Sequence, residues 1–521
     1  MHSRPQNRNT RSRSRNELRG TVSLPNTPRH DQGTLPWEPP AGGSRERNPV
    51  YLRTDDRPWI IGFSGGKDST CVLSLVYIAI QQLPKAKRHK HIYVVSSDTL
   101  VETPVVVDMI KQVMDRINAA ATEEELPFSA HPVVPKTDQT FWVNLIGKGY
   151  PAPNQTFRWC TERMKIDPVS EFILDKVTKF GEAVVVLGSR SQESNSRAQV
   201  IAKHKIDGSA LSRHSSLPNA YTYMPIESWS ADEVWEYLMS ASCPWGGTNR
   251  ELLELYKGSN QGECPLVIDK STPSCGNSRF GCWTCTVVTD DKALHGLIES
   301  GADWMRPLLD FRNKLYQSRQ PENSKEYRNF KRRTGRVSYN TGDIKDDTIQ
   351  EVRHVPGPYW LSTRKEFLRE LLEIEKTIND NGREIELITR PELHVIRQEW
   401  LRDPNEPDWE DALPGIYREI YGEDLDWIEN DAGAFTKADS AILEELSKRY
   451  EIPAALIRKL LEAELEVSGL GKRRGILQQL ESILRQDWEG LDEINERNEG
   501  LRKLGRSHVD EVQREFSEFL S

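Results

Sequence analysis

Two groups of residues stand out by type and spacing. Ser64-Gly65-Gly66-Lys67-Asp68-Ser69-Thr70 joins a short apolar run, Trp59 to Phe63, to an apolar stretch of helical length, Thr70 to Leu83. Two glycines let the backbone approach a phosphate with no Cβ in the way. A helix starting here presents unpaired N–H groups and the positive end of its dipole, and Ser64, Ser69 and Thr70 add hydroxyl donors. Lys67 brings a full charge, and Asp68 a carboxylate suited to Mg²⁺. The spacing is not that of a Walker A loop, whose Gly-Lys pair lies farther from the first glycine. The chemistry implied is the handling of a polyphosphate.

The second group is Cys264, Cys275, Cys282 and Cys285, four of seven cysteines in one short stretch. The closing Cys282-Trp283-Thr284-Cys285 can place two thiolates on one metal or cluster, and Gly276 and Gly281 let the backbone wrap. Three readings are open. One is a four-cysteine iron–sulfur cluster; a second is structural zinc, for which one of the two usual close pairs is missing. The third is a set of redox-active thiols with no metal. Cys71 and Cys243 read as packing residues.

The elements that must position these groups alternate. After the first apolar run and its helix, His91 to Val95 reads as a strand, Pro104 to Ala120 as a helix, and Ala183 to Leu187 as a strand. Their continuous rather than alternating apolar character predicts a buried parallel sheet. The fold class is therefore α/β, a doubly wound parallel sheet whose ligand site lies at the carboxyl ends of its strands. Farther on, 364–378, 441–450, 453–467 and 476–488 carry apolar residues at helical spacing and predict a mainly helical C-terminal region.

The heptapeptide matches the SGGKDS signature of the PP-loop ATP pyrophosphatases, which split ATP between its α- and β-phosphates to AMP and pyrophosphate. The resemblance implies an adenine nucleotide α-hydrolase-like fold and assigns Ser64, Gly65, Gly66, Lys67, Asp68, Ser69 and Thr70 to ATP and its Mg²⁺. Ser96 to Pro104 resembles the D-T-x-x-E-x-P element of phosphoadenylylsulfate (PAPS) reductases, which implies adenine or ribose contacts for Asp98. Leu187 to Arg197 resembles their G-x-R-x-x-E-S-x-x-R element, which implies that Gly188, Arg190 and Arg197 face phosphates. Tyr223 to Trp235 resembles a further stretch of the same reductases and is read as structural, with Ser230 capping a helix and Glu233 completing a capping box.

Cys275 to Val288 resembles the cysteine block of the DndC family, the sulfurtransferases of bacterial DNA phosphorothioation, and implies a [4Fe-4S] cluster. Arg158 to Pro168 resembles the C-C-x-x-R-K-x-x-P element of adenylylsulfate reductases, but Thr161 replaces the second cysteine. Cys160 is then a fifth candidate ligand or a thiol that carries a persulfide, and Arg163 and Lys165 are expected to contact phosphate and lower its pKa. The resemblance covers roughly residues 50 to 380. It implies adenylation of a DNA phosphate oxygen followed by sulfur transfer, carried by Lys67, Asp68, Arg190 and Cys160. It also implies a cysteine desulfurase as sulfur donor and association with other phosphorothioation proteins. A PAPS or adenylylsulfate reductase, a PP-loop tRNA thiolase and a non-catalytic scaffold are the alternatives.

Composition bounds these readings. The chain has 521 residues, a net charge of −9, 36% apolar and 29% charged residues. An acidic chain does not hold nucleic acid by bulk charge, so DNA needs a local basic patch or a presenting partner. No apolar run reaches the roughly 20 residues of a membrane span, and no apolar core follows the N-terminal arginines as in a secretory signal. Clustered cysteines suit a reducing compartment, and the expected location is the cytoplasm. The expected organisation is an arginine-rich disordered tail (1–55), a PP-loop domain (56–245), a cysteine-rich iron–sulfur segment (246–300), a helical extension (301–390) and a charged helical C-terminal region (391–521).

Overall fold

The computed structural model describes residues 56–193, 195–206, 209–259, 281–339, 354–427, 437–466 and 475–498. The N-terminal tail, Cys264 and Cys275 lie outside them, as does the side chain of Arg197.

A six-stranded sheet runs in the order β3-β2-β1-β4-β6-β5. Its strands are β1 (Trp59–Gly62), β2 (Ile92–Ser97), β3 (Phe128–Val133), β4 (Ala183–Val186), β5 (Leu211–Arg213) and β6 (Ala220–Tyr223). All neighbours are parallel except the β5–β6 pair at one edge. The helices of the sheet region are α1 (Lys67–Gln81), α2 (Pro104–Glu123), α3 (Asp167–Phe180), α4 (Asn195–His204), α5 (Ala231–Ser240) and α6 (Asn249–Ser259). Alternate residues of β1 enter opposite cores, which is why the strand is apolar throughout. Trp59 and Ile61 pack with Val72 and Val76 of α1 and Trp235 of α5, while Ile60 packs with Val185 and with Ile173 of α3. The order reverses between β1 and β4, and in such sheets that switch point opens the ligand crevice.

The remaining long helices are α7 (Lys292–Glu299), α8 (Arg306–Ser318), α9 (Leu361–Asp380), α10 (Arg390–Leu401), α11 (Ala412–Tyr421), α12 (Lys437–Tyr450), α13 (Ala454–Glu466) and α14 (Ile476–Leu484). Residues of α7 to α11 form a second core around Trp142, Trp283, Phe311, Phe367 and Trp400. The segment between β3 and α3 joins it. The Trp142 indole donates to the Leu387 carbonyl (2.6 Å) and the Trp400 indole to that of Ile146 (2.8 Å).

The expected strands and helices are present, and the capping box at α5 forms: Ser230 Oγ accepts from Glu233 N–H (3.2 Å) and Glu233 Oε2 from Ser230 N–H (2.6 Å). Strand β3 was not anticipated, because His131 and Pro132 interrupt its apolar pattern. Helix α1 begins three residues before the apolar stretch, so Lys67, Asp68 and Ser69 form its first turn.

Candidate active site

The loop after β1 is shaped by two glycines of different kind. Gly65 has φ +71°, and a Cβ there would lie 2.8 Å from Ile110 Cγ1 and 2.9 Å from Met109 Cε on α2. Both conformation and space therefore require glycine. Gly188, just beyond β4, lies flush against the head of α1. A Cβ there would sit 2.8 Å from the carbonyl carbon and oxygen of Asp68 and 3.0 Å from Ser69 N. The loop hydroxyls hold the turn: Ser69 and Thr70 each donate to the Gly66 carbonyl (2.9 Å), and Ser69 Oγ accepts from Ser64 N–H (3.2 Å).

Asp68 is the hub. Its Oδ1 accepts from Arg190 Nε (2.8 Å) and its Oδ2 from Lys67 Nζ (3.1 Å), so two cations flank one carboxylate. Arg190 comes from the end of β4, and its side chain is only 7% exposed. It reaches the Trp229 carbonyl as well, at 3.4 Å. The cluster carries a surplus positive charge beside a helix N-terminus, an arrangement that favours polyphosphate. An arriving phosphate can take Lys67 and Arg190 from Asp68 and free that carboxylate.

Sequence reasoning missed Tyr256 on α6. Its hydroxyl accepts from the Lys67 backbone N–H (3.2 Å), and its ring centre lies 5.8 Å from Lys67 Nζ. No local motif marks it, since α6 is far away in the chain. Tyr256→Phe keeps the ring and removes the hydroxyl. We expect ATP affinity to fall about fivefold, the loss of one hydrogen bond worth ~1 kcal/mol, measured by calorimetric titration.

Beyond β2 the chain makes a second constellation. Asp98 Oδ1 accepts from Leu100 N–H (2.8 Å), and Leu100 takes the left-handed conformation, φ +62°. Burial lifts the Asp98 carboxyl above its usual range. Val101 to Thr103 pair with the cysteine turn: Trp283 N–H donates to the Val101 carbonyl (3.1 Å), and Thr103 donates to Gly281 through both N–H (3.2 Å) and hydroxyl (2.9 Å). Trp283, 1% exposed, anchors the turn in the second core. Within the turn Cys285 N–H donates to the Cys282 carbonyl (3.0 Å). Around Cys282 stand Thr99 Oγ1 at 3.4 Å and Glu102 Oε1 at 3.7 Å, and Lys165 Nζ donates to Glu102 Oε1 (3.2 Å).

Lys165 lies on a wide π-helical turn, Glu162–Ile166, that begins two residues after Cys160. Ser97 at the end of β2 hooks this turn by donating to the Met164 carbonyl (3.1 Å). Burial alone would lower the Lys165 ammonium; the nearby Cys282, Glu102 and Cys160 outweigh it and hold its pKa above the ordinary value. The expected lowering of the Cys160 pKa is reversed. Burial, with Cys285 close by, pushes that thiol up and exceeds the opposing pull of Thr161 and Lys165. Arg163 gives no help, being bound to Asn144 and to the Tyr150 hydroxyl (3.3 Å). Burial likewise pushes Cys282 up to about 12. Cys71 is fully buried and Cys243 packs against the sheet core, as their packing role requires.

The structure thus gathers Lys67, Asp68, Gly188 and Arg190 at the switch point, and Asp98, Cys160, Cys282 and Cys285 past the neighbouring strand. Cys264, Cys275 and the Arg197 side chain lie outside the described residues.

Residues 58–288 match the family model of the phosphoadenosine phosphosulfate reductase domain. An uncharacterized protein of Methanocaldococcus jannaschii is 28% identical over 189 residues, 36% of this chain and 33% of that protein. The chain thus spans about a third of the length of this curated relative. Among solved structures, a PAPS reductase from Candida auris in complex with phosphate aligns with a TM-score of 0.24 at 13% identity, over 37% of this chain and 79% of that one. A U34-tRNA thiolase from Methanococcus maripaludis with its [4Fe-4S] cluster aligns with a TM-score of 0.23 at 14% identity, over 51% and 75%. The matched stretch, residues 58–288, contains both the loop around Lys67 and the turn Cys282–Cys285.

Proposed function

We propose that this protein is an ATP-dependent sulfurtransferase that adenylates a non-bridging phosphate oxygen of DNA and replaces it with sulfur. The observation that carries the reading is the pairing of a polyphosphate site with a thiol site at the carboxyl ends of adjacent strands, β1 and β2. The phosphate oxygen attacks the α-phosphorus of ATP and pyrophosphate leaves; a sulfur nucleophile then attacks the activated phosphorus, and AMP departs with the original oxygen. Lys67, Arg190 and the N–H groups at the head of α1 offset the charge that develops on the phosphates. Asp68 holds Mg²⁺ once phosphate has taken its two cations.

Among the described residues no three His, Cys, Asp or Glu side chains meet at metal-ligating separation. The donors present fit an iron–sulfur cluster by type: Cys282 and Cys285 lie in one tight turn, with Cys160 close enough to Cys285 to feel its charge. Cys264 and Cys275, which lie outside the described residues, are proposed to join Cys282 and Cys285 as the four thiolates. A [4Fe-4S] cluster held there supplies sulfur-binding and redox chemistry. A cysteine desulfurase provides persulfide sulfur, a thiol reductant cleaves the S–S bond and leaves as disulfide, and other phosphorothioation proteins present the duplex to this acidic chain.

The family match also favours a second reading, reduction of a sulfated adenosine phosphate. Anaerobic protein given [α-³²P]ATP, duplex DNA and a persulfide-loaded desulfurase separates them. The expected result is AMP and pyrophosphate, with sulfur appearing in DNA. Turnover stimulated only by tRNA moves the substrate to RNA. Intact ATP together with tight binding of PAPS returns the protein to the reductases.

A further inference from the structure

Two arginines of α8 and its C-terminal boundary grip the backbone that follows the cysteine turn. Arg312 is completely buried. Its Nε donates to the Cys285 carbonyl (2.9 Å), one terminal nitrogen to that of Thr289 (2.8 Å) and to Asn313 Oδ1 (2.9 Å), and the other to the Val288 carbonyl. Arg319 donates to the Thr286 carbonyl (2.8 Å). Tyr316 lies between them, its ring centre 5.4 Å from one guanidinium and 4.5 Å from the other, and its hydroxyl donates to Thr289 Oγ1 (3.4 Å). Thr286 is tied down separately by its hydroxyl, which donates to the Pro153 carbonyl (2.7 Å). The carbonyls of residues 285, 286, 288 and 289 are thus all held from α8 and its end, while Val101 to Thr103 hold the other side of the turn.

A buried guanidinium is costly unless its charge is compensated. Among the described residues Arg312 makes no ion pair with a carboxylate; its partners are neutral oxygens. Those oxygens satisfy its N–H groups and fix its position, while Asp291 and Asp290 stand near enough to act on its charge without pairing with it. Cys282 and Cys285 add further negative charge beside Arg312 when they ligate as thiolates, since thiols bind metal or cluster only after losing their protons. Arg312 sits one carbonyl away from that event. Groups that hold and tune ligands from behind are as much a part of a metal site as the ligands.

We propose that Arg312 is a positioning residue for the Cys282–Cys285 turn, holding it in ligating shape and acting as the fixed counter-charge of the anionic thiolate-bound group; this rests on the cluster reading above. Arg319 supports the same turn from its half-buried position. An apolar core alone could fix the loop, so charge and shape must be tested apart.

The test uses the full chain, purified anaerobically and reconstituted with ferrous iron and sulfide, as wild type, Arg312→Gln, Arg312→Lys and Arg319→Gln. Three quantities are read: iron retained under a chelator, the midpoint potential of the reduced cluster, and hydrogen exchange at the Trp283 and Cys285 amides in metal-free protein. Exchange across α1 reports whether each variant folds. For Arg312→Gln we expect iron affinity about 10–100-fold lower, the usual cost of losing such support. Its potential should fall below that of wild type, because the reduced cluster loses a nearby cation, and exchange at the two amides should quicken. Arg312→Lys should restore the potential without the full iron affinity, and Arg319→Gln should quicken exchange with little change in potential. Unchanged retention, potential and exchange in Arg312→Gln with α1 still protected overturns the proposal. Wild-type protein that takes up no iron overturns the cluster reading and the counter-charge with it, and the exchange rates then decide whether Arg312 clamps the turn.

Discussion

Lys67→Ala is expected to lower the rate of AMP and pyrophosphate formation by about 10³-fold, ~4 kcal/mol of barrier. The side chain is 11% exposed and reaches Asp68 at 3.1 Å, so it is fixed at the head of α1 before nucleotide arrives. Its charge matters most when the bond between the α- and β-phosphates breaks and negative charge gathers on pyrophosphate. The loss should therefore appear mainly in kcat, with a smaller rise in KM. Arg190 remains beside Asp68 and still attracts phosphate, so binding should persist. Single-turnover cleavage of [α-³²P]ATP measures the first effect and calorimetric titration the second. A variant that binds weakly but turns over at the wild-type rate would mean that Lys67 serves ground-state binding alone.

Gly188→Ala should cost ~2 kcal/mol of stability and most of the nucleotide affinity, although it adds one methyl group. The new Cβ would fall 2.8 Å from the Asp68 carbonyl group and 3.0 Å from Ser69 N. These are backbone atoms of a helix and cannot swing aside, so either β4 or the head of α1 must shift. Either shift moves Arg190 away from Asp68 and opens the pair of cations. Gly415→Ala on α11 is the control, because a Cβ there meets nothing within 4 Å. It should be neutral or stabilising by up to ~1 kcal/mol, as alanine replaces glycine in a helix. Thermal unfolding compares the two, and ATP titration shows whether the site fails with the fold. Equal melting temperatures for Gly188→Ala and wild type would show that the strand and helix do not pack so closely.

Much of the nucleotide site was legible because it is local. Ser64 to Thr70 is one turn between a strand and a helix, and the demand for small residues, hydroxyls and a cation acts over neighbouring positions. The buried strands were legible for the same reason, since a strand covered on both faces has no polar position to interrupt its pattern. The capping box at Ser230 and Glu233 needs only three residues of chain. Strand β3 escaped notice because a proline and a histidine sit within it, and tertiary pairing with β2 overrides their low propensity.

What the sequence determined by itself was the chemistry available: a phosphate-binding turn, a lysine next to a carboxylate, and thiols in a close pair. Tertiary structure decided which groups meet and in what state. Folding sets Gly188 against α1, brings Tyr256 to Lys67, and closes the Cys282–Cys285 turn against Val101 to Thr103. It also reverses the expected lowering of the Cys160 pKa, because burial depends on neighbours far away in the chain. Arg312 shows the division most plainly. In sequence it is one arginine on an amphipathic helix, and only the packing of α8 against the cysteine segment removes it from water and turns its donors onto the carbonyls of Cys285, Val288 and Thr289. Motifs record contacts between neighbours in the chain, whereas desolvation and long-range contact are properties of the folded core.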